Sequence, residues 1–174
     1  MSLLMEIKEI ESHISKVPDY PKPGILFYDI STLIFNKDAF SSSIKWLTDK
    51  VKDYEFDLIA SIDARGFLFG SALAYSLGKG LVMVRKKSKL PGKTISYDYE
   101  LEYGMDTLEI NIEAKGKKFL LVDDLLATGG TANAALELIK KAGGNTSCFL
   151  SLIELTFLNG RKKIQVPMES LIQY

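Results

Sequence analysis

The segment VDDLLATGGT, residues 122–131, sets two adjacent carboxylates, Asp123 and Asp124, ahead of a run without bulky side chains: Ala127, Thr128, Gly129, Gly130 and Thr131. If a helix opens there, its unpaired N–H groups, its dipole and two hydroxyls together suit a phosphate. Two carboxylates beside an anion site repel the anion unless they face another part of the ligand, such as hydroxyls or a metal-bound group. A phosphorylated sugar meets both demands. The same residues also fit a plainer arrangement, in which Thr128 caps the helix, the glycines turn the chain and the Asp pair shapes a turn. Neither GxxxxGKS/T nor GxGxxG occurs, so an ATPase loop and a dinucleotide fold are unsupported.

Two further stretches hold groups that could act on anions. In IDARGFLFG, residues 62–70, Arg65 stands directly before Gly66, leaving a guanidinium beside accessible backbone, a geometry that suits a diphosphate oxygen. A surface ion pair is the ordinary alternative for such an Arg. In VRKKSKLPGKT, residues 84–94, Arg85, Lys86, Lys87, Lys89 and Lys93 occur without an acid, around Pro91 and Gly92. That run reads either as a solvated face or as a basic loop closing over an anion.

Positioning these groups requires a scaffold, and the apolar patterning supplies one. Short apolar runs at 58–62 (LIASI), 81–85 (LVMVR), 119–122 (FLLV) and within SCFLSLI alternate with helical spacings at 66–77 and 135–142, the pattern of a parallel sheet covered on both faces. The three candidate segments then fall at the carboxyl ends of strands, where open parallel sheets bind ligands. Upstream, Leu3, Ile7, Ile10, Ile14 and Val17 predict one amphipathic helix ended by Pro18. PKPGILFYDI reads as a rigid turn into a short strand, and Phe40, Ile44, Leu47 and Val51 predict a second helix. The section between the basic run and FLLV gives no regular signal.

Composition bounds the rest. One domain over 1–174 is expected, with 47% apolar and 25% charged residues. Because 22 basic and 22 acidic residues cancel, no nucleic-acid partner is expected. No membrane span or secretory leader is expected, since charges interrupt every apolar stretch. The single Cys148 lies in an apolar run, which points to a buried, reduced thiol and a cytosolic setting. The single His13 and the lack of CxxC leave no zinc site or hydrolase triad indicated.

VDDLLATGGT resembles the phosphoribosyl-diphosphate motif of the type I phosphoribosyltransferases. IDARGFLFG, LEYG at 101–104 and GILF at 24–27 are similar to the adenine-specific branch of that family, and the resemblance covers the chain from about residue 17 to its end. It implies an α/β fold with a central parallel sheet of about five strands flanked by helices, a small hood contributed mainly by about residues 1–35, and a homodimer. The implied reaction joins adenine to phosphoribosyl diphosphate, giving AMP and diphosphate, with magnesium bound through the substrate diphosphate. Asp123 and Asp124 would hold the ribose hydroxyls, and residues 127–131 the 5-phosphate. Arg65, Arg85 and Lys89 would take the diphosphate. Glu102, beside Tyr103, would manage the purine ring proton, as base in the forward direction and acid in reverse. Phe27 would stack on adenine while the backbone of Leu26 meets its edge. Tyr28 stands where related enzymes usually carry Arg or Lys.

Overall fold

The computed structural model describes residues 4–101 and 104–174. The chain divides into two compact units, Met1–Trp46 and Leu47–Tyr174.

In the first unit, α1 (Ile7–Ser12) is followed by an antiparallel pair, β1 (Ser15–Pro18) with β2 (Leu26–Asp29), then α2 (Ser31–Phe35) and the start of α3 (Lys37–Lys50). The predicted first helix is therefore cut short. The Thr32 hydroxyl donates to the His13 carbonyl at 2.6 Å, taking an acceptor that a continuing helix would offer to Val17, and Val17 pairs with Phe27 across the ribbon instead. The Tyr20 and Phe27 rings meet edge-on, with centroids 5.1 Å apart.

The second unit is built on a seven-stranded sheet. Its strands are β3 (Leu58–Ile62), β4 (Gly80–Lys86), β5 (Ile95–Leu101), β6 (Gly104–Ile110), β7 (Lys118–Leu126), β8 (Asn145–Glu154) and β9 (Met168–Gln173), in the order β5-β6-β4-β3-β7-β8-β9. Five neighbours, β4 to β9 through β3, β7 and β8, run parallel. Helix α4 (Gly66–Leu77) joins β3 to β4, and α5 (Gly130–Lys141) joins β7 to β8.

Uninterrupted apolar runs make these strands interior ones: Phe119 to Val122 of β7 are at most 1% exposed, each side chain contributing about 1.5–3 kcal/mol by burial. Helix α4 ends at Gly78, whose φ of 62° is the left-handed conformation glycine adopts without Cβ strain. Cys148 is buried in β8, and burial pushes its thiol up to about 11, so it stays protonated and inert.

The section without a regular signal is the antiparallel hairpin β5–β6, which extends the parallel sheet beyond β4. Its charged residues alternate with Tyr97, Tyr99, Leu108 and Ile110 on a half-covered face.

Candidate active site

Strands β3 and β7 are neighbours from which the crossovers diverge, α4 leading to β4 on one side and α5 to β8 on the other. That is a switch point, the crevice where open parallel sheets bind ligands. A cleft of about 240 Å³ opens there, lined by residues 62–65, Lys86 and residues 123–132.

Strand β7 runs on through both acids before it ends at Leu126. Successive strand side chains point to opposite faces. Asp124 is buried and Asp123 half-buried. Arg65 Nη2 lies 2.8 Å from Asp124 Oδ2, an ion pair. Asp123 Oδ1 accepts the Asp124 N–H at 2.9 Å.

Burial raises the pKa of both carboxyls; repulsion from Asp124 raises Asp123 further, while Arg65 opposes the rise at Asp124. Without ligand, the acidic pair is electrostatically under-compensated. Hydroxyl donors or added positive charge would stabilise it.

The start of α5 is bare. Its N-cap is Gly129, at φ 78°, and no side chain caps it, so the arrangement with Thr128 as helix cap is not the one formed. The first-turn N–H groups therefore remain available to an anion, reinforced by a 12-residue helix.

Glycine at 129 is demanded by more than its backbone angle. A Cβ there would lie 2.5 Å from Gly160 O, and a Cβ on Gly160 would lie 2.1 Å from Ala127 O. The turn before α5 thus rests directly on backbone from the segment after β8. At the β3 end, a Cβ on Gly66 would meet Asp123 Oδ1 at 2.9 Å and Asp123 Cα and Val122 O at 3.2 Å, so glycine eases the close start of α4 against β7.

The basic run divides at β4. Arg85 Nε donates to Asp63 Oδ2 at 3.0 Å, its Nη1 donates to the Lys89 carbonyl at 3.3 Å, and the guanidinium lies 5.7 Å from the centre of the Phe67 ring. The next residue, Lys86, lines the cleft and pairs with Asp106 of β6. Tyr99 OH donates to that carboxylate at 3.3 Å and lies 3.4 Å from the Thr131 hydroxyl, tying hairpin β5–β6 to the first turn of α5.

Of the residues expected to act, Arg65, Asp123, Asp124, Ala127, Thr128, Gly129, Gly130 and Thr131 meet in one cleft. Arg85 and Lys89 are not among its lining residues, whereas Lys86 of the same basic run is. Leu26 and Phe27 lie on β2 of the first unit, Leu26 exposed. Glu102 and Tyr103 lie outside the described residues.

Sequence reading missed Gly160, Lys86 as the cleft lysine, and the Tyr99–Asp106 link. Of these, only Lys86 carried any signal, as a member of the basic run, and its phase on the strand was not legible.

Residues 35–163 match the family model for the phosphoribosyl transferase domain. An adenine phosphoribosyltransferase of Thermoanaerobacter sp. is 51% identical over 173 residues, covering 98% of this chain and 100% of that protein. The chain belongs to the adenine phosphoribosyltransferase family.

The family's enzyme from Rhodospirillum centenum is 49% identical over 168 residues, 95% of this chain and 98% of that protein. Among solved structures, the adenine phosphoribosyltransferase of Thermoanaerobacter pseudethanolicus superposes with a TM-score of 0.94 at 48% identity, over 97% of this chain and 100% of that one. The Saccharomyces cerevisiae adenine phosphoribosyltransferase, solved with adenine and an imino-altritol bisphosphate, gives 0.89 at 38% identity, over 95% and 97%. The fold is therefore the type I phosphoribosyltransferase fold, with five parallel strands as expected and an antiparallel pair added at one edge.

Proposed function

We propose that this chain transfers the 5-phosphoribosyl group of phosphoribosyl diphosphate to adenine, forming AMP and diphosphate, in the cleft between the ends of β3 and β7. The observation that carries the reading is the uncapped start of α5 beside the Asp123–Asp124 pair. The N–H groups and hydroxyls of residues 127–131 hold the 5-phosphate. The two carboxylates accept hydrogen bonds from the ribose hydroxyls, which offsets the penalty of burying them together.

Transfer breaks the bond from the anomeric carbon to diphosphate and forms one to a purine ring nitrogen. Positive charge builds on the sugar, facing the acids, and negative charge on the departing diphosphate, where Arg65 and Lys86 wait, with Arg85 and Lys89 of the basic segment behind them. Glu102 takes the ring proton as the nitrogen attacks, and Tyr103 borders the same site. Phe27 stacks on adenine and Leu26 offers backbone groups to its edge.

Arg65 and Lys86 would hold the diphosphate, and a magnesium ion bound with it would supply further countercharge. The buried Asp123–Asp124 pair, whose charged form burial penalises, suits a ligand bringing positive charge into the cleft. The functional species is a homodimer in the cytosol. Leu68 and Tyr75, seven residues apart on α4, with Leu81 and Met83 of β4, leave apolar surface that a second copy would cover.

Diphosphate release measured with adenine, hypoxanthine, guanine and xanthine tests the assignment. Adenine is expected to dominate kcat/KM; preference for any 6-oxopurine would overturn the base assignment while leaving the phosphoribosyl site in place.

A further inference from the structure

We infer that Arg161 and Glu154, which lie outside the cleft, position the phosphate-binding turn from behind and thereby set its affinity for the 5-phosphate. The inference rests on residues 127–131 being that turn. Its physical basis is the contact between Gly160 and the turn: with a Cβ on Gly160 only 2.1 Å from Ala127 O and 2.9 Å from Gly129 N, no side chain separates the two backbones. Whatever fixes Gly160 fixes the floor on which Ala127 and Gly129 rest.

Gly160 belongs to a pair of short 3-10 turns, Thr156–Leu158 and Gly160–Lys163, joined by Asn159 in the left-handed conformation. Turns this short have poor internal hydrogen bonding and need external anchors. At the front, Thr156 donates its N–H and its hydroxyl to the Tyr174 carbonyl at 2.9 and 2.6 Å.

At Gly160 itself the anchor is its neighbour Arg161. Nε reaches Glu154 Oε1 at 2.8 Å, Nη2 reaches Oε2 at 2.5 Å, and Nη1 donates to the Met168 carbonyl at 3.0 Å. This planar two-pronged contact fixes direction as well as distance, which a lysine cannot reproduce.

Glu154 is rigid in turn. Its side chain is 5% exposed, and Oε2 also accepts Ser170 Oγ at 2.9 Å and Gln173 Nε2 at 3.0 Å. It ends β8 directly beside Leu126, the last residue of β7, and Leu155 N donates to Leu126 O at 2.9 Å. The anchor and the phosphate turn therefore leave the sheet at the same rung. Neither Glu154 nor Arg161 lines the cleft, so they act through Gly160.

Displacing a binding group by a fraction of an ångström to one ångström costs roughly tenfold to a hundredfold. Arg161→Ala is expected to raise the KM for phosphoribosyl diphosphate and the Kd for AMP by about tenfold or more, with the KM for adenine and kcat at saturating substrates within about twofold. Arg161→Lys should fall between, because it keeps the charge and loses the fork. A general loss of folded protein would lower kcat without dividing the two KM values.

Titration of AMP into wild type, both Arg161 variants and a Thr128→Ala, Thr131→Ala double variant separates the possibilities. Wild-type AMP affinity in the double variant would overturn the phosphate-turn reading itself. A weakened double variant with wild-type affinity in the Arg161 variants would overturn the positioning role alone. If Arg161→Ala does not fold, Arg161→Lys decides by the same measure.

Discussion

Gly160→Ala offers a perturbation whose size can be worked from the backbone. The added methyl would stand 2.1 Å from the Ala127 carbonyl oxygen, and ordinary approaches begin near 3.4 Å. Residue 160 or the turn at 127–129 must therefore yield by roughly 1 Å, since contacts at such overlap are steeply repulsive. Overpacking of this kind costs about 1–3 kcal/mol, which lowers the melting temperature of a domain this size by roughly 2–4 °C per kcal/mol. A displacement of about 1 Å in a substrate-holding group costs on the order of a hundredfold in kcat/KM, equivalent to about 2.7 kcal/mol. Gly160 carries no positive φ, so the effect reports steric contact with the turn and not lost backbone freedom. Steady-state kinetics with varied phosphoribosyl diphosphate, alongside thermal unfolding, would measure both quantities. Wild-type kcat/KM and melting temperature in Gly160→Ala would refute the claim that this contact sets the phosphate turn.

Asp123→Asn should raise the melting temperature of the ligand-free protein near neutral pH while weakening AMP binding. The sign follows from the raised folded-state pKa of Asp123: its destabilising burden is absent below the usual value of 3.8 and grows as pH rises from there toward the folded value. The gain should therefore vanish near pH 3.5, and equal melting curves for the two proteins at pH 7 would contradict it. Glu154 has the opposite sign: its pKa is lowered, chiefly by Arg161, so its stabilisation is complete above about pH 4.5 and is lost as pH falls through the folded value. Glu154→Gln should flatten the acid side of the stability profile, as acid titration followed by circular dichroism would register. Glu102→Gln should slow turnover by roughly a hundredfold or more with phosphoribosyl diphosphate binding nearly intact; unchanged turnover in a single-turnover assay would remove Glu102 from the mechanism.

The interior strands and the helices packed on them were legible, because unbroken apolar runs and a clear helical spacing each leave one interpretation. LIASI became β3 and the 66–77 spacing became α4 with the expected bounds, and the strand at 119–122 was found within β7. Hairpin β5–β6 was not legible, since one of its faces is wet and DYEL carries as much charge as a loop. The first helix was overextended because a stripe at three- and four-residue spacing cannot register that Thr32, nineteen residues on, takes the His13 carbonyl.

In the cleft, the acids, Arg65 and the glycine-rich turn announced themselves as adjacent residues of distinctive type. Gly160 and Arg161 did not, because the importance of Gly160 lies in a backbone approach to residues 127–129 and that of Arg161 in a buried carboxylate seven residues upstream. Lys86 and Arg85 were legible as a basic pair, but which one faces the cleft depends on strand phase, and LVMVR is apolar on both faces.

A crystal structure with bound AMP probes the whole arrangement at once. The 5-phosphate should sit at the start of α5 within hydrogen-bond distance of the residue 128–131 amides, with the ribose hydroxyls on Asp123 and Asp124. A nucleotide bound elsewhere, leaving that helix start without an anion, would contradict the assignment of the cleft as the phosphoribosyl site.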